Sequence, residues 1–146
     1  MAPGSKPRVF LDSNVIFSGL YSSKGAPGKI LELFIKGDIE VVISQQVLDE
    51  VIRTVKDKLP EALPALNTLL VNNPPEVVPA PEIECIEQWP GVLSLADAAI
   101  LAAVHASQTY IFITGDRHFF KSSILSGTGI FIETPATFLE RYLPPR

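Results

Sequence analysis

The stretch that decides the fold reads Val9-Phe-Leu-Asp-Ser-Asn14. Its apolar residues predict a buried strand of a parallel sheet, and the carboxylate, hydroxyl and amide after them predict the polar end of that strand. In open α/β sheets, ligands bind outside the carboxyl ends of the strands. We therefore expect Asp12 at a ligand-binding edge, and we ask whether the rest of the chain brings further carboxylates there.

Length and composition predict one soluble domain. The chain has 146 residues, of which 47% are apolar and 19% are charged, close to ordinary globular usage. A net charge of -4 gives no sign of a basic nucleic-acid surface, so any nucleic acid must be bound locally. The single Cys85 cannot form an internal disulfide, and the longest apolar stretch, residues 93–106, is too short to span a bilayer. We expect a cytoplasmic protein with a flexible leader at residues 1–7 and a single domain at residues 8–146.

Hydrophobic periodicity predicts strands that alternate with helices. The predicted strands are residues 9–11, 39–43, 76–78, 110–114 and 129–132, and the predicted helices are residues 15–21, 29–36, 45–59, 60–71, 95–107 and 135–142, with residues 79–91 irregular. Alternation of this kind gives a parallel sheet with right-handed crossovers and helices on both faces. The predicted fold class is a three-layer α/β sandwich with a central parallel sheet of four or five strands.

This fold brings acidic side chains to one edge of the sheet. Asp12 and Asp116 each follow an apolar strand, so both are expected at its carboxyl-terminal edge. Asp97 lies in the first turn of a buried helix that begins near the same edge. Asp49 or Glu50, after the second strand, is the fourth member, and periodicity alone does not choose between them.

Each acid also has a purely structural explanation. Asp97 follows Ser94 at the spacing of a capping box, and an acid in a first turn suits the helix dipole. Asp12 and Asp116 are also typical of turns, and Glu50 of a solvated helix flank. Like charges about 4 Å apart nevertheless repel by roughly 1 to 4 kcal/mol per pair, so a cluster of all four requires a cation.

The residue types in the predicted cluster indicate the cation and the reaction. Carboxylate oxygens without a Cys or His cluster suit Mg²⁺ or Mn²⁺ better than zinc. Two such ions about 3.5 to 4 Å apart activate a water and stabilise the leaving oxygen in phosphodiester cleavage. The sequence has no Gly-x-Ser-x-Gly elbow, Walker loop or Cys-His pairing that would supply another mechanism. His105 is expected at a helix end and His118 in a loop.

Five motifs in order carry a resemblance to a known family. They are Leu11-Asp-Ser-Asn14, Ser44-x-x-Val-x-x-Glu50, Asp97 at the start of an alanine-rich helix, Thr114-Gly-Asp116 followed by His-Phe-Phe, and Ile132-x-Thr-Pro-x-x-Phe-Leu139. From Arg8 onward the chain resembles the PIN-domain proteins, in the group of VapC-like toxin components of toxin-antitoxin pairs. One departure is the stretch from Trp89 to Ala96, where relatives usually carry further acids.

The resemblance implies a metal-dependent endoribonuclease that uses Mg²⁺ or Mn²⁺ and is controlled by a cognate antitoxin protein. It favours Glu50 over Asp49. The implied ligands and catalytic residues are Asp12, Glu50, Asp97 and Asp116, and the groups that orient them are Ser13, Asn14 and Thr114. An alternative is a PIN fold that binds RNA or protein without cutting, which the departure before Asp97 favours.

Substrate and partners follow less directly from the residues. Single-stranded or looped RNA is the expected substrate, because its bases are accessible in a way that those of a duplex are not. The cations predicted near the edge, where they can meet phosphates, are Lys24, Lys29, Arg117 and Lys121. A mean hydropathy of +0.27 predicts a homodimer.

Overall fold

The computed structural model describes residues 6–89, 94–121 and 129–142. The strands in these ranges are β1 (Arg8–Leu11), β2 (Glu40–Ser44), β3 (Glu76–Val78), β4 (Ile111–Ile113) and β5 (Phe131–Glu133). All of them pair in parallel, in the spatial order β3-β2-β1-β4-β5. The predicted α/β class is confirmed, with five strands in the sheet.

Seven α-helices connect and cover these strands in the described ranges. They are α1 (Ser13–Tyr21), α2 (Ala26–Lys36), α3 (Gln45–Lys58), α4 (Leu63–Asn72), α5 (Ile83–Glu87), α6 (Leu95–Ala106) and α7 (Pro135–Tyr142). Two single 3₁₀ turns, Pro60–Ala62 and Arg117–Phe120, complete the regular structure. Predicted N-caps are present, since the hydroxyl of Ser44 accepts from the backbone N–H of Val47 and that of Thr134 accepts from Thr137.

The strand order reverses direction between β1 and β4. From β1 the chain steps outward through β2 to β3, then returns past β1 to β4 and steps outward again to β5. Right-handed crossovers put the helices between β1 and β3 on one face and the α5–α6 segment on the other. The contacts agree, because α1 packs on α2 and α3, whereas α5 packs on α6. The point between β1 and β4 is where this class of sheet binds ligands.

A buried aromatic group fixes the two strands that flank this point. Val9, Phe10 and Leu11 of β1 have no exposed surface. The rings of Phe10 and Phe112 meet edge to face at 5.8 Å, and Phe112 meets Phe119 in the same way at 5.1 Å. Each such pair adds about 0.5 to 1.5 kcal/mol to the burial of its surface. The 3₁₀ turn after β4 is thereby attached to the core through Phe119.

Most element bounds lie within two residues of the sequence prediction, but the helix predicted over residues 60–71 is divided into the 3₁₀ turn Pro60–Ala62 and α4, and two further places depart from the prediction. Helix α2 begins at Ala26 rather than Lys29, because Pro27 is accommodated in the first turn and Gly28 lies against the backbone of Ser23. Residues 79–91 were expected to be irregular, yet they contain α5, which is too short to show a helical period. Most of the predicted leader, and residues 90–93 of the departure before Asp97, lie outside the described residues. No helix within the described ranges is long and apolar enough to cross a membrane.

Candidate metal centre

Asp12 is a buried carboxylate at the junction of β1 and α1. Its side chain is the N-cap of α1, and its backbone N–H donates to the carbonyl of Ile113 at 3.0 Å. Oδ1 accepts from the backbone N–H of Ser13 at 2.8 Å. Oδ2 accepts from Thr114 Oγ1 at 2.7 Å and from Asn14 Nδ2 at 3.1 Å. With only 4% of its surface exposed, Asp12 is held in one orientation by three donors.

Burial and neighbouring charge make Asp12 an unusual acid. Desolvation raises the pKa of Asp12 to about 6, against the hydrogen bonds from Thr114 and the Ser13 N–H, which lower it. The carboxylates of Glu50 and Asp116 raise the pKa of Asp12 further by repulsion. Both acids therefore lie near enough to act on Asp12. A cation placed among these three carboxylates would favour the charged form of Asp12.

Thr114 and Asn14 connect Asp12 to the loop after β4. The Thr114 hydroxyl, which is fully buried, also accepts from the backbone N–H of Asp116 at 3.0 Å. Asn14 Oδ1 accepts from the backbone N–H of Gly115 at 2.9 Å. The two side chains thus hold the Asp116 loop in register with the end of β1. Ser13 contributes through its backbone N–H.

Asp97, Asp116 and His118 form the densest group of potential metal ligands in the described ranges. One ligand atom from each lies within 4.8 Å of those of the other two. Asp116 caps the 3₁₀ turn by accepting from the backbone N–H of His118 at 2.9 Å, and His118 Nδ1 lies 2.8 Å from Asp116 Oδ1. Since Asp116 also acts on Asp12, it joins this group to the buried acid.

Asp97 lies in the capped first turn of α6 and is also one of the three potential metal ligands. Its backbone N–H donates to Ser94 Oγ at 3.1 Å, which caps α6. Its carboxylate lies near the ligand atoms of Asp116 and His118, so the first turn of α6 brings this acid to the sheet edge. Gln46, in the first turn of α3, donates to the Ala96 carbonyl at 3.1 Å and ties the start of α6 to α3.

Glu50 and Asp49 have different surroundings on α3. Glu50 is partly buried and acts electrostatically on Asp12. Asp49 is exposed and accepts from Gln45 Nε2 at 2.9 Å on its own helix. The geometry thus associates Glu50, and not Asp49, with the buried acid.

Comparison with known families identifies this arrangement. The family model described as "PIN domain" matches residues 8–118, which is most of the chain and spans every acid described above. The chain belongs to the PIN domain family. The resemblance drawn from the sequence motifs is therefore confirmed at the level of the family. No curated protein matches the sequence.

Solved structures share the PIN fold at low sequence identity. VapBC2 from Rickettsia felis, bound to a DNA fragment from its promoter, is 19% identical with a TM-score of 0.62, covering 87% of this chain and 98% of that one. FitAcB from Neisseria gonorrhoeae is 18% identical with a TM-score of 0.62, covering 88% and 98%. VapC20 from Mycobacterium tuberculosis, a Sarcin-Ricin loop cleaving toxin, is 17% identical with a TM-score of 0.54, covering 77% and 92%. These likenesses show the fold.

The predicted substrate-binding cations of this PIN domain are all exposed. Arg117 begins the 3₁₀ turn directly after Asp116, and Lys121 follows the same turn. Lys24 lies in the loop between α1 and α2, and Lys29 lies on α2. Within the described part of the chain, no hydrogen bond or ion pair links any of the four to the acids.

Sequence reasoning missed two residues at this site. The sequence predicts a loop position for His118, but the 3₁₀ turn brings its ring to Asp116. The signal was its position two residues after the acid, in Asp-x-His. Gln46 was read only as part of a helix, and nothing in the sequence pointed to its contact with Ala96.

The donor set fits a divalent metal ion. Three aspartates and a glutamate supply the hard oxygen ligands that Mg²⁺ and Mn²⁺ prefer. A carboxylate offers about four acceptor positions, and Asp12 uses three of them on Ser13, Asn14 and Thr114. One position of Asp12 is left for a metal, with its direction set by the other three.

Proposed function

We propose that this PIN domain is a divalent-metal-dependent endoribonuclease that cleaves RNA phosphodiester bonds with two metal ions. The observation that carries the proposal is a chain of acids at the point where the strand order reverses: ligand atoms of Asp97 and Asp116 lie within 4.8 Å of each other, and Asp116 and Glu50 act electrostatically on the buried Asp12. Uncompensated carboxylates at such distances repel one another and destabilise the fold. A site that only binds RNA gains nothing from this cost, whereas a metal-dependent nuclease requires it.

The proposed roles of the site residues differ according to their burial and contacts. Asp97 and Asp116 are partly exposed and face solvent and substrate, whereas Asp12 is buried and fixed. Thr114 and Asn14 hold the orientation of Asp12, as the groups behind metal ligands generally do. A bound divalent ion would supply a water of lowered pKa and stabilise charge on the phosphate. Glu50 contributes the fourth carboxylate of the proposed site, from α3.

Substrate contacts follow from position. Arg117 begins the 3₁₀ turn that carries His118 and Lys121 follows it, and their positions support the proposal that they meet the phosphates on either side of the cut bond. Contacts of this kind position the RNA backbone without reading its sequence. Lys24 and Lys29 are proposed as contacts to a more distant part of the strand. A single strand suits this open edge better than a duplex.

We also propose a biological setting from the structural relatives. One of them is named as a Sarcin-Ricin loop cleaving toxin, and another is a VapBC2 structure with promoter DNA. By analogy, this chain is a toxin held by an antitoxin protein and acts in the cytoplasm. Self-association through exposed apolar residues such as Tyr110 and Phe131 is part of the same proposal. Light scattering of the purified chain measures its oligomeric state.

The nuclease activity is tested with two neighbouring acids as a matched pair. Single-stranded RNA labelled at one end is incubated with the protein and Mn²⁺, Mg²⁺ or EDTA. Glu50→Gln should lower cleavage by about 10²-fold or more, because it removes an acid from the site. Asp49→Asn removes the same charge one residue away and should cut like the wild type. Asp97→Asn and EDTA should both abolish cleavage.

Two results would contradict this proposal. One is equal cleavage by Glu50→Gln and Asp49→Asn, which would indicate that the activity does not arise at these acids. The other is a wild-type protein that binds RNA and is inert with every divalent ion, which would support the non-catalytic binding module.

A further inference from the structure

His118 has a position that the acidic quartet does not explain. It is the one histidine at the site, since the other, His105, lies in the last turn of α6. Its Nδ1 atom lies 2.8 Å from Asp116 Oδ1. Adjacent ligands of one octahedral ion at about 2.1 Å are separated by about 3 Å. The histidine nitrogen and the aspartate oxygen therefore have the spacing of two neighbouring ligands.

The fold holds the backbone of His118 in place although its ring is exposed. Asp116 accepts from the His118 N–H, which closes the 3₁₀ turn. The next residue, Phe119, is fully buried against Phe112 of β4. The ring itself is 68% exposed, so a hydrated ion from solvent can reach it. A surface ion pair accounts for the contact of His118 with Asp116 alone, whereas a ligand atom of Asp97 also lies within 4.8 Å of the His118 nitrogen.

We propose that His118 is a nitrogen ligand of the metal centre, together with Asp97 and Asp116, and that it makes the centre prefer Mn²⁺ to Mg²⁺. This inference rests on the proposed function, because it assigns the metal of the same site. Both ions prefer oxygen ligands, but Mg²⁺ accepts them almost exclusively, whereas Mn²⁺, as a first-row transition metal, also accepts an imidazole nitrogen. An all-carboxylate set discriminates little between the two ions. Replacing one oxygen ligand by an imidazole shifts the preference toward manganese.

Metal binding by the free protein tests this inference without measuring cleavage. The metal-free wild type, His118→Ala, His118→Gln and the control His105→Ala are titrated calorimetrically with Mn²⁺ and with Mg²⁺. His118→Ala and His118→Gln should weaken Mn²⁺ binding by at least about tenfold and change Mg²⁺ binding by less than about twofold. His105→Ala should match the wild type for both ions. His118→Asp should lower the preference for Mn²⁺ because it puts an oxygen ligand in place of the imidazole nitrogen.

Pulsed electron paramagnetic resonance of the Mn²⁺ complex gives a direct readout of the ligand atom. The wild type and His105→Ala should show coupling of the manganese electrons to an imidazole nitrogen, and the His118 variants should lack it. If the His118 variants keep both the coupling and the Mn²⁺ affinity, His118 is not a ligand and the proposed nuclease is unaffected. If the wild type binds Mg²⁺ and not Mn²⁺, only this inference fails, and if it binds neither ion, the proposed function fails as well.

Discussion

The hydroxyl of Thr114 donates a 2.7 Å hydrogen bond to Oδ2 of Asp12, although the two residues are 102 positions apart in the sequence. Both side chains are buried. Thr114 Oγ1 in turn accepts from the backbone N–H of Asp116 at 3.0 Å. One hydroxyl therefore sets the direction of the buried acid and the position of a second acid, and its loss affects both.

Thr114→Val removes this hydroxyl while keeping the shape of the side chain. We expect a loss of about 1 to 3 kcal/mol in the free energy of unfolding, because a buried acceptor and a backbone donor lose their partner. Affinity for Mn²⁺ should fall about 10- to 100-fold. Urea unfolding and calorimetric titration measure the two effects. Thr68→Val is the control, since Thr68 bonds to the Pro64 carbonyl on the exposed side of α4. Equal effects of both variants would contradict the role given to Thr114.

Asp12 should make the stability of the metal-free protein depend on pH in a defined window. Burial raises the pKa of Asp12 from an ordinary value near 3.8 to about 6, so between these values the native state holds a proton that the unfolded state has lost. Raising the pH through this window therefore destabilises the native state, by an amount on the order of 3 kcal/mol at most. The penalty is absent below the window and complete above it.

Asp12→Asn isolates that contribution because it cannot ionise. Unfolding free energies of the wild type and the variant are measured in EDTA from pH 4 to 7.5. Hydrogen bonds that the substitution changes add a constant offset, so the difference between the two proteins is the quantity of interest. The free energy of unfolding of the variant should increase relative to that of the wild type as the pH rises to about 7. If the difference in unfolding free energy does not vary with pH, the pKa of Asp12 is not raised in the native state.

Metal binding should offset the loss of stability that the ionised, buried Asp12 causes in the wild type. Mn²⁺ at about a hundred times its dissociation constant should stabilise the native state by about 2.7 kcal/mol. The gain should be much smaller in Asp12→Asn, which has lost a fixed carboxylate. Thermal unfolding at pH 7.5, with Mn²⁺ or with EDTA, measures both. Identical shifts in the two proteins would place the metal away from Asp12.

Gly115→Ala tests the support that Asn14 gives. A Cβ at Gly115 would lie 3.3 Å from Asn14 Oδ1, so the amide has to move and its hydrogen bond to Asp12 is disturbed. We expect weaker Mn²⁺ binding with a stability loss of about 1 kcal/mol or less. Gly25→Ala is the control, because its nearest neighbour, Pro27 Cδ at 3.7 Å, is at an ordinary contact distance. Unchanged metal affinity in Gly115→Ala would argue against a positioning role for Asn14.

The sequence predicted the sheet edge well because parallel strands bring their carboxyl ends together. Asp12 and Asp116 could be placed at one edge from the position of each after an apolar run. The reversal of strand order between them was not predictable, because it depends on pairing between residues such as Val9 and Ile111 that are distant in the chain. Which edge residues become neighbours is decided by that order.

The choice between Asp49 and Glu50 shows a second limit. Both flank the buried stripe of Val47 and Val51, one on each side. The helical period fixes the stripe but does not say which flank faces the site, which here is the side of Glu50. His118 was missed for a similar reason, since the burial of Phe119 that anchors its turn is a tertiary contact.

The central position of β1 between β2 and β4 has a consequence for the synthesis of the protein. Pairing of β1 with β4 joins residues about 100 positions apart, and such non-local pairs form late in folding. A chain emerging from the ribosome can pair β1 with β2 and β2 with β3, but one side of β1 stays open until residues 111–113 have been added. Thr114 and Asp116 follow directly after these residues, and Asp97 comes shortly before them. The residues of the proposed metal centre are therefore not assembled during most of the synthesis of the chain.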